Sequence, residues 1–286
     1  MSKSTAVDHA AEIERKGYTV IEDAFDEEEI DAMRTAANRI LELVVNSSLA
    51  NDRTSGRLAL VEDGPGDQLV KKVQPVNDLS LTFTEFSRDE RLIEPMREFM
   101  DDEPRLMEEK LNYKQPLPEP VEELDTNRPT EAWPPHSDWA YFRAQDYPQT
   151  VVSSAIAVDD LTAANGTMRF WPGTNDEYVE HERFDNGLGV PAEHVDHDDS
   201  ELLEAPAGSL ILFDSLVWHE SSANDTDDPR RLMIYSHFPA SAAQEHGIVE
   251  DERNAPTRRN ESPHEWRYQE LKDRGEFDDR FEVPEV

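Results

Sequence analysis

The sequence contains no cysteine and no stretch that approaches the ~18 consecutive apolar residues of a membrane-spanning helix. The missing cysteines exclude a disulfide framework and thiolate chemistry. The N-terminus also lacks the apolar run of a signal peptide. We therefore expect a cytoplasmic protein that does not enter a membrane.

Basic residues are scarce, with 28 lysines and arginines against 64 aspartates and glutamates and a formal net charge of −36. No block of basic residues forms a groove, so neither nucleic acid nor an anionic membrane is an expected partner. The acidic residues are spread along the chain and only seven of the basic residues are lysines, a composition that resembles proteins of salt-accumulating halophiles. At about 1 M salt the Debye length is roughly 3 Å, which screens self-repulsion. We expect structure to be lost at low salt; an unchanged circular dichroism spectrum after desalting would refute this.

Capping residues and apolar periodicity predict two helices near the N-terminus. The first covers residues 7–16 and ends at Gly17, and a strand follows at 18–21. Asp26 caps the second helix, in which apolar residues recur with the helical period at Ile30, Met33, Ala37, Ile40, Leu41 and Val44. We expect these helices to support a sheet and to carry no chemistry.

The middle of the chain mixes strand, helix and loop signals. Residues 47–66 are expected to be mostly loop with strand character near 58–61, residues 83–107 mostly helical, and 111–114 a strand. Six prolines between positions 115 and 135 predict a long loop without regular structure that leads to His136. Further strands are expected at 150–158, at 209–213 and at 232–238, and a short one between the Asn-Gly turn at 165–166 and the Pro-Gly turn at 172–173. A helix is expected near 265–274 in the charged tail.

A histidine and an aspartate stand two residues apart at His136 and Asp138, so both lie on the same face if the backbone is extended. His219, after the apolar run at 209–213, supplies a third ligand. Two histidines and one carboxylate form the facial triad of non-heme Fe(II) oxygenases, with the opposite coordination positions open. A second His-x-Asp at His194 has no apolar strand before it and stands 25 residues before His219, so we interpret it as a solvated loop.

With these residues in place, the chain resembles the phytanoyl-CoA dioxygenase family, whose relatives include ectoine hydroxylases. The resemblance covers about residues 17–238. It rests on His136-Ser137-Asp138, on Asn165-Gly166-Thr167 leading to Pro172-Gly173-Thr174, on residues 208–219, and on Pro229-Arg230. It implies a mainly β, α+β fold with a double-stranded β-helix (jelly-roll) core and flanking helices. It also implies an enzyme that uses Fe(II), 2-oxoglutarate and O2 to hydroxylate an unactivated C–H bond of a small organic molecule, with succinate and CO2 as co-products.

The resemblance also implies roles for single residues. His136, Asp138 and His219 would bind the iron, and Arg230, eleven residues after His219, would hold the far carboxylate of 2-oxoglutarate. Arg231 would face the other way, and a surface salt bridge to Asp227 or Asp228 is the alternative for either arginine. Four further residues are expected near the same co-substrate: Ser153 and Ser221 as carboxylate contacts, Lys110 and Asn112 as pocket lining.

One residue departs from the family pattern, because Glu220 replaces the glycine that usually follows the distal histidine. We expect its side chain to point away from the iron. The resemblance does not predict which residues it contacts there. Arg143 or Arg169 could meet an anionic part of the substrate, and Trp133, Trp139, Tyr141, Phe142 and Trp171 are expected near the cavity mouth.

The sequence leaves two other functions open. One is a different metal enzyme on a cupin-like barrel, such as an epimerase, which would not need Arg230; the other is a non-catalytic jelly-roll binding protein. The substrate is a small molecule of unknown identity, and a CoA thioester is disfavoured by the acidic composition because no local basic patch is visible. The chain is expected to be a monomer or homodimer.

We expect a single domain over residues 1–286. Residues 1–107 would form a buttress of helices and strands, and 108–239 the double-stranded β-helix core. Residues 174–206 would be an irregular acidic insertion over the barrel rim, and 240–286 a charged C-terminal extension.

Overall fold

The computed structural model describes residues 7–62, 67–245, 263–276 and 280–283. Its strands are β1 (Tyr18–Ile21), β2 (Leu58–Glu62), β3 (Gln68–Val73), β4 (Pro104–Pro116), β5 (Trp133–His136), β6 (Val152–Ala157), β7 (Met168–Trp171), β8 (Glu182–Phe184), β9 (Gly187–Gly189), β10 (Glu201–Leu202), β11 (Leu210–Asp214), β12 (Trp218–Ser221) and β13 (Leu232–Pro239). Its α-helices are α1 (His9–Lys16), α2 (Glu27–Ala50), α3 (Leu81–Phe86), α4 (Glu90–Met100), α5 (Trp139–Phe142), α6 (Ala240–Glu245) and α7 (Pro263–Asp273). None of the helices in this described part is both long and apolar enough to cross a bilayer.

The strands form a large sheet in the order β1-β11-β6-β13-β4-β3-β2 and a smaller one in the order β10-β7-β12-β5. Successive core strands alternate between the sheets, except that β10 follows β7 within the small one: β4, β6, β11 and β13 belong to the large sheet, and β5, β7, β10 and β12 to the small one. All of these pairings are antiparallel. The expected mainly β, jelly-roll fold is therefore confirmed. β8 and β9 form a separate hairpin.

The N-terminal helices begin and end as their capping residues predict. Asp8 accepts from the amide of Ala11 at the start of α1, and Gly17 ends that helix with a positive φ of 85°. Asp26 and Glu29 form a capping box at the start of α2. The apolar face of α2 is buried in the same cluster as side chains of the large sheet, which explains why this helix is held against it.

Three local predictions were wrong. Residues 47–50, expected to be loop, continue α2, where the hydroxyls of Ser47 and Ser48 donate to the carbonyl of Val44. Residues 104–107, expected to be helical, begin the long strand β4. Residues 133–135, expected to be irregular because of their prolines, belong to β5; this strand lies at the edge of its sheet, where a missing amide hydrogen is tolerated.

Two large apolar clusters form most of the core of the described residues. The larger one includes the buried faces of α2 and α4 and residues of the large sheet, such as Leu212 and Met233. The second joins the small sheet to the large one through residues such as Phe170 and Phe213. The helix expected near 265–274 is confirmed as α7, which packs on α2, while residues 246–262 of the charged tail lie outside the described residues.

The segment 174–206, expected to be irregular, contains the β8–β9 hairpin and the short strand β10. The hairpin lies against β5, because the amide of Val190 donates to the carbonyl of Pro135. The hydroxyl of Tyr141 also accepts from the amide of Leu188 at 2.8 Å. The hairpin is thereby fixed beside the end of β5, where His136 lies.

Candidate active site

His136 and His219 are brought together by strand pairing. β5 and β12 are neighbours in the small sheet, and these two histidines are direct cross-strand partners. Such partners have Cβ atoms only about 5 Å apart, which places both imidazoles side by side although 83 residues separate them in sequence. The third residue, Asp138, is not on an extended strand as expected. It has helical backbone angles (φ −61°, ψ −29°) at the start of α5, so a strand-to-helix turn directs its carboxylate to the histidines.

The three side chains present ligand atoms to a common point. Asp138 Oδ1 lies 3.7 Å from His136 Nε2 and 3.9 Å from His219 Nε2, and all three ligand atoms lie within 4.8 Å of one another. These separations exceed hydrogen-bonding distance, and an ion about 2 Å from each atom would account for them. The cluster is also deeply buried, with each residue 5–6% exposed.

Backbone carbonyls orient both imidazoles. His136 Nδ1 lies 2.7 Å from the carbonyl oxygen of Pro134, and His219 Nδ1 lies 3.1 Å from that of Val217. A carbonyl oxygen accepts only, so each Nδ1 carries the proton and each Nε2 is left with a free lone pair. This arrangement is the one that holds a metal-ligating histidine in the correct tautomer.

Burial sets the protonation of the cluster. It lowers the pKa of His136 to about 3, with repulsion from His219 as a second cause, and it also lowers the pKa of His219. Burial opposes ionisation of Asp138, but the positive charge of Lys110, together with the neighbouring imidazoles and the Ser153 hydroxyl, outweighs it and lowers the pKa of this carboxyl. Two neutral imidazoles and one carboxylate are the forms in which these groups bind a metal.

The residue between the ligands is held by His181, which the sequence did not single out. His181 Nδ1 lies 2.7 Å from the carbonyl of Val179 and therefore carries the proton, while Nε2 accepts from the amide of Ser137 at 2.9 Å. His181 lies just before β8 in the 174–206 segment, so that segment supports the turn between His136 and Asp138. No local motif marks this histidine; its proximity arises only from the packing of the hairpin.

A cavity, which we call the inner cavity, extends from the cluster to Arg230. The arginine is 1% exposed, and its Nη2 donates to the carbonyl of Gly166 at 2.8 Å, whereas Nε and Nη1 have no partner. A glycine is required at 166, because φ is 71° and a Cβ atom would lie 2.4 Å from the carbonyl oxygen of Ala223. A buried guanidinium with unpartnered donors suits an anionic ligand at this end of the cavity.

Lys114 lies next to Arg230 and donates to the same Gly166 carbonyl at 3.1 Å. Burial and the neighbouring guanidinium lower the pKa of Lys114 far below its usual value. Burial also lowers the pKa of Arg230, to about 10, which still leaves it protonated near neutral pH. Arg230 is therefore the group that carries the positive charge here.

The other residues expected to contact 2-oxoglutarate do not all reach the cavity. Lys110, Asn112 and Ser221 line it, and Asn112 Oδ1 is buried without a partner. Ser153 instead lies behind the cluster, where its hydroxyl is 3.3 Å from Asp138 Oδ2 and 2.8 Å from the hydroxyl of Ser236. Ser153 is thus placed to support the carboxylate of Asp138.

The two arginines considered for substrate binding are already engaged. Arg143 pairs with Glu180 at 2.8 Å. Arg169 Nε lies 3.3 Å from Glu220, and its Nη1 donates to Ser200. Glu220, which departs from the family pattern, therefore has a cationic partner on β7. His194 is exposed, as expected of a solvated loop.

A second cavity, which we call the outer cavity, lies on the other side of the cluster, and it contains a basic patch that the sequence did not reveal. Lys71, Lys72, Lys110 and Arg128 line it, so the expectation that no local basic patch exists was wrong. Two of these lysines come from β3, a strand that was not predicted. A sequence signal for this patch exists in Leu69-Val70-Lys71-Lys72-Val73, where two adjacent lysines interrupt an apolar run in a chain with few lysines.

Fold and site together define a class of protein: a jelly-roll whose small sheet carries two histidines and one carboxylate, with a buried arginine at the end of the adjoining cavity. The chain belongs to the phytanoyl-CoA dioxygenase (PhyH) family, whose model matches residues 13–232.

Curated relatives agree with this membership. The chain is 29% identical over 240 residues to a protein of Halomonas elongata named ectoine dioxygenase, a match that covers 78% of this chain and 66% of that protein. It is 27% identical over 243 residues to a protein of Stutzerimonas stutzeri named probable alpha-ketoglutarate-dependent hypophosphite dioxygenase, covering 79% and 76%.

Solved structures share the fold. EctD from S. alaskensis, solved with 2-oxoglutarate and 5-hydroxyectoine, has a TM-score of 0.62 at 20% identity and covers 84% of this chain and 79% of its own. The epimerase SnoN, solved with Fe3+, alpha ketoglutarate and nogalamycin RO, has a TM-score of 0.58 at 18% identity, covering 81% and 82%.

Proposed function

We propose that this protein is an Fe(II)- and 2-oxoglutarate-dependent dioxygenase that hydroxylates a C–H bond of a small organic molecule. When bound, iron and 2-oxoglutarate would supply the activation of O2, and succinate and CO2 would be the co-products. In this proposal His136, Asp138 and His219 hold the iron. The enzyme acts in the cytoplasm as a monomer or homodimer, without a nucleic-acid or membrane partner.

The chain's own residues orient the two imidazoles, bind 2-oxoglutarate and exclude water from the cavity. The carbonyls of Pro134 and Val217 hold the two imidazoles with Nε2 toward the ion. Arg230 anchors the far carboxylate of 2-oxoglutarate, and Asn112 and Ser221 line the intervening cavity. The apolar side chains of Phe213, Leu232 and Ile234 keep this space dry, which strengthens the ionic contact with the arginine.

One observation carries the proposal: the three candidate ligands and the buried, partly unpartnered Arg230 line the same cavity. A metal enzyme that does not use 2-oxoglutarate would have no need for an unpaired guanidinium in the same cavity as the cluster. A non-catalytic binding protein would have no need for three convergent ligand atoms. The relatives named after 2-oxoglutarate-dependent reactions support the same choice.

Anaerobic addition of Fe(II) and 2-oxoglutarate tests the proposal directly. We expect a weak visible absorption band from the wild type, together with slow conversion of 2-oxoglutarate to succinate once O2 is admitted. His219→Ala should lose both. His194→Ala is the matched control, because His194 belongs to a His-x-Asp sequence but is exposed. A wild type without the band, or a His219→Ala variant that retains it, would contradict the proposal.

A further inference from the structure

The charge balance of the chain is reversed around the outer cavity. The whole sequence has 64 acidic and 28 basic residues, yet the charged residues that line this cavity are Lys71, Lys72, Lys110 and Arg128 against Glu108 and Asp138. Asp138 belongs to the candidate metal site, so its charge is directed to the ion. Four cations then face one carboxylate. With Lys114, four of the seven lysines of the chain lie around the two cavities.

Among the three lysines of this cavity, Lys72 has a single, uncharged hydrogen-bond partner. Its Nζ donates to Gln74 Oε1 at 2.6 Å and forms no ion pair with any carboxylate in the described part of the chain. By contrast, Lys110 is held by Glu108 at 3.0 Å. Lys71 donates to two backbone carbonyls, those of Thr130 and Ala132. Lys72 is half-buried at the wall of the cavity, and an ammonium partly withdrawn from water without a carboxylate partner suits an anionic ligand.

A break in strand pairing places the paired lysines on the same wall. The register between β3 and β4 shifts between Val70 and Lys72, and β2 shows a shift at the same level of β3. In regular strands adjacent residues point to opposite faces. At a bulge they need not, and both Lys71 and Lys72 line the outer cavity. This local irregularity concentrates positive charge that a regular strand would have divided between two faces.

Lys72 also lies close to the candidate metal site. Lys72 and Lys110 line both cavities, as do His136 and Asp138, so the two ammonium groups border the candidate metal site. An anionic group held there would place the atoms attached to it beside the cluster. The far end of the inner cavity already has Arg230 for 2-oxoglutarate.

We propose that the primary substrate is a small acid whose oxyanion group, a phosphonate or a carboxylate, binds between Lys72 and Lys110 at the outer side of the metal cluster. This inference rests on the proposed oxygenase function and names its substrate class. Lys71 and Arg128 increase the positive potential of the entrance. The acidic exterior does not oppose binding, because the local charge of the cavity is positive.

Matched probes test the charge requirement without turnover. Calorimetry on the metal-free protein would compare propylphosphonate, butanoate and butanamide, which share a short chain and differ in head group. We expect both acids to bind at least about 10-fold more tightly than the neutral amide, as a charged hydrogen bond implies. Tighter binding of propylphosphonate would assign a doubly charged head group, and comparable binding of butanoate a carboxylate. Equal binding of the amide would overturn the proposal.

Variants then assign the site. Lys72→Gln should weaken binding of the acids by about 10-fold or more while the KM for 2-oxoglutarate changes by less than about 3-fold, and Lys72→Arg should restore most of the loss. Lys16→Gln is the control, because Lys16 lies on α1 beside Glu12, away from both cavities. A Lys72→Gln effect confined to 2-oxoglutarate would show that Lys72 serves the co-substrate instead.

The two proposals fail in different ways. If the wild type gives no visible band with Fe(II) and 2-oxoglutarate, the oxygenase assignment fails. If the band forms and persists in Lys72→Gln, but the acids bind no better than butanamide, the oxygenase assignment stands and only the substrate class is wrong. The persistent band in the variant also shows that it is folded.

Discussion

Arg230 and Arg231 are adjacent and almost equally buried, at 1% and 3% exposure, but their surroundings differ. Arg231 donates to both carboxylate oxygens of Asp159 at 2.8 Å and to Asn38 at 2.9 Å. Arg230 has one carbonyl partner and two unpartnered nitrogens facing the cavity. The protein therefore compensates Arg231 internally, whereas Arg230 keeps free donors that the proposed 2-oxoglutarate would use. Completeness of hydrogen bonding separates the two roles more clearly than burial does.

The largest expected effect comes from replacing each arginine in turn. Arg230→Met should leave the protein folded, because a buried charge without a counter-ion is removed. It should weaken 2-oxoglutarate binding by roughly 2–5 kcal/mol, about 30-fold to several thousand-fold, since a buried charged contact is lost. Titration of the Fe(II) enzyme with 2-oxoglutarate under anaerobic conditions measures this.

Arg231→Met is the matched control and should show the opposite pattern. It leaves the carboxylate of Asp159 poorly paired, so we expect a loss of roughly 3 kcal/mol in the free energy of unfolding. Binding of 2-oxoglutarate by the folded fraction should be unchanged. If Arg231→Met reduced co-substrate affinity as much as Arg230→Met, the contrast between the two arginines would be wrong.

Replacing His181 tests whether a residue outside the candidate ligand set influences metal binding through the turn that it supports. Removing the acceptor for the Ser137 amide in His181→Ala frees the turn between two candidate ligands. We expect metal affinity to fall about 10-fold or more, as for other outer-shell partners. Titration with Co(II), followed by absorbance, measures it. His197→Ala, at another histidine of the same segment, is the control; an equal loss there would indicate a general effect of the segment.

The pH dependence of metal binding sharpens the comparison between buried and exposed histidines. Two histidines with an ordinary pKa near 6.5 would lose about 100-fold in metal affinity between pH 7.5 and 5.5, because each becomes mostly protonated. Burial lowers the pKa of His136 to about 3 and lowers that of His219. His136 therefore stays neutral at pH 5.5 and His219 is protonated less than an ordinary histidine, so we expect a loss of less than about 10-fold in Co(II) affinity. A 100-fold loss would contradict the pKa directions.

The smallest expected effect is at Asp26, which forms its hydrogen bonds within the capping box of α2 and lines neither cavity. Asp26→Ala removes the capping box of α2 and should cost about 1 kcal/mol in the free energy of unfolding, without changing 2-oxoglutarate affinity. Chemical denaturation and the anaerobic titration measure the two quantities. A change in affinity would mean that α2 influences the site, against our expectation that this helix only supports the sheet.

Much of this architecture was predictable because the signals are local. The capping residues of α2, the apolar runs of β6, β11 and β13, and the spacing of His136, Asp138, His219 and Arg230 all stand in the sequence. These patterns depend on residues close in sequence, or on an order of motifs that the family resemblance supplies. They were sufficient for the jelly-roll fold and for the set of residues that converge on the inner cavity.

What escaped prediction depends on tertiary position. The prolines of β5 contradict a strand until the strand is known to lie at a sheet edge. The lysines of β3 interrupt its apolar run, and the register shift that turns both toward one cavity has no sequence signature. The partner of Arg231 is Asp159, far upstream, and neither of the neighbouring aspartates considered for it. Each of these facts requires distant segments to be placed together.

The two prolines of β5 have a last consequence. Of the four residues in this strand, Pro134 and Pro135 have no amide hydrogen, so the strand can form few backbone bonds to β12. An ion bound by both His136 and His219 would hold this edge strand, which has few hydrogen bonds, to the rest of the sheet. Binding of the metal should then slow amide hydrogen exchange in β5 before it slows exchange elsewhere in the small sheet. The stability of this edge of the barrel would depend on whether the metal site is filled.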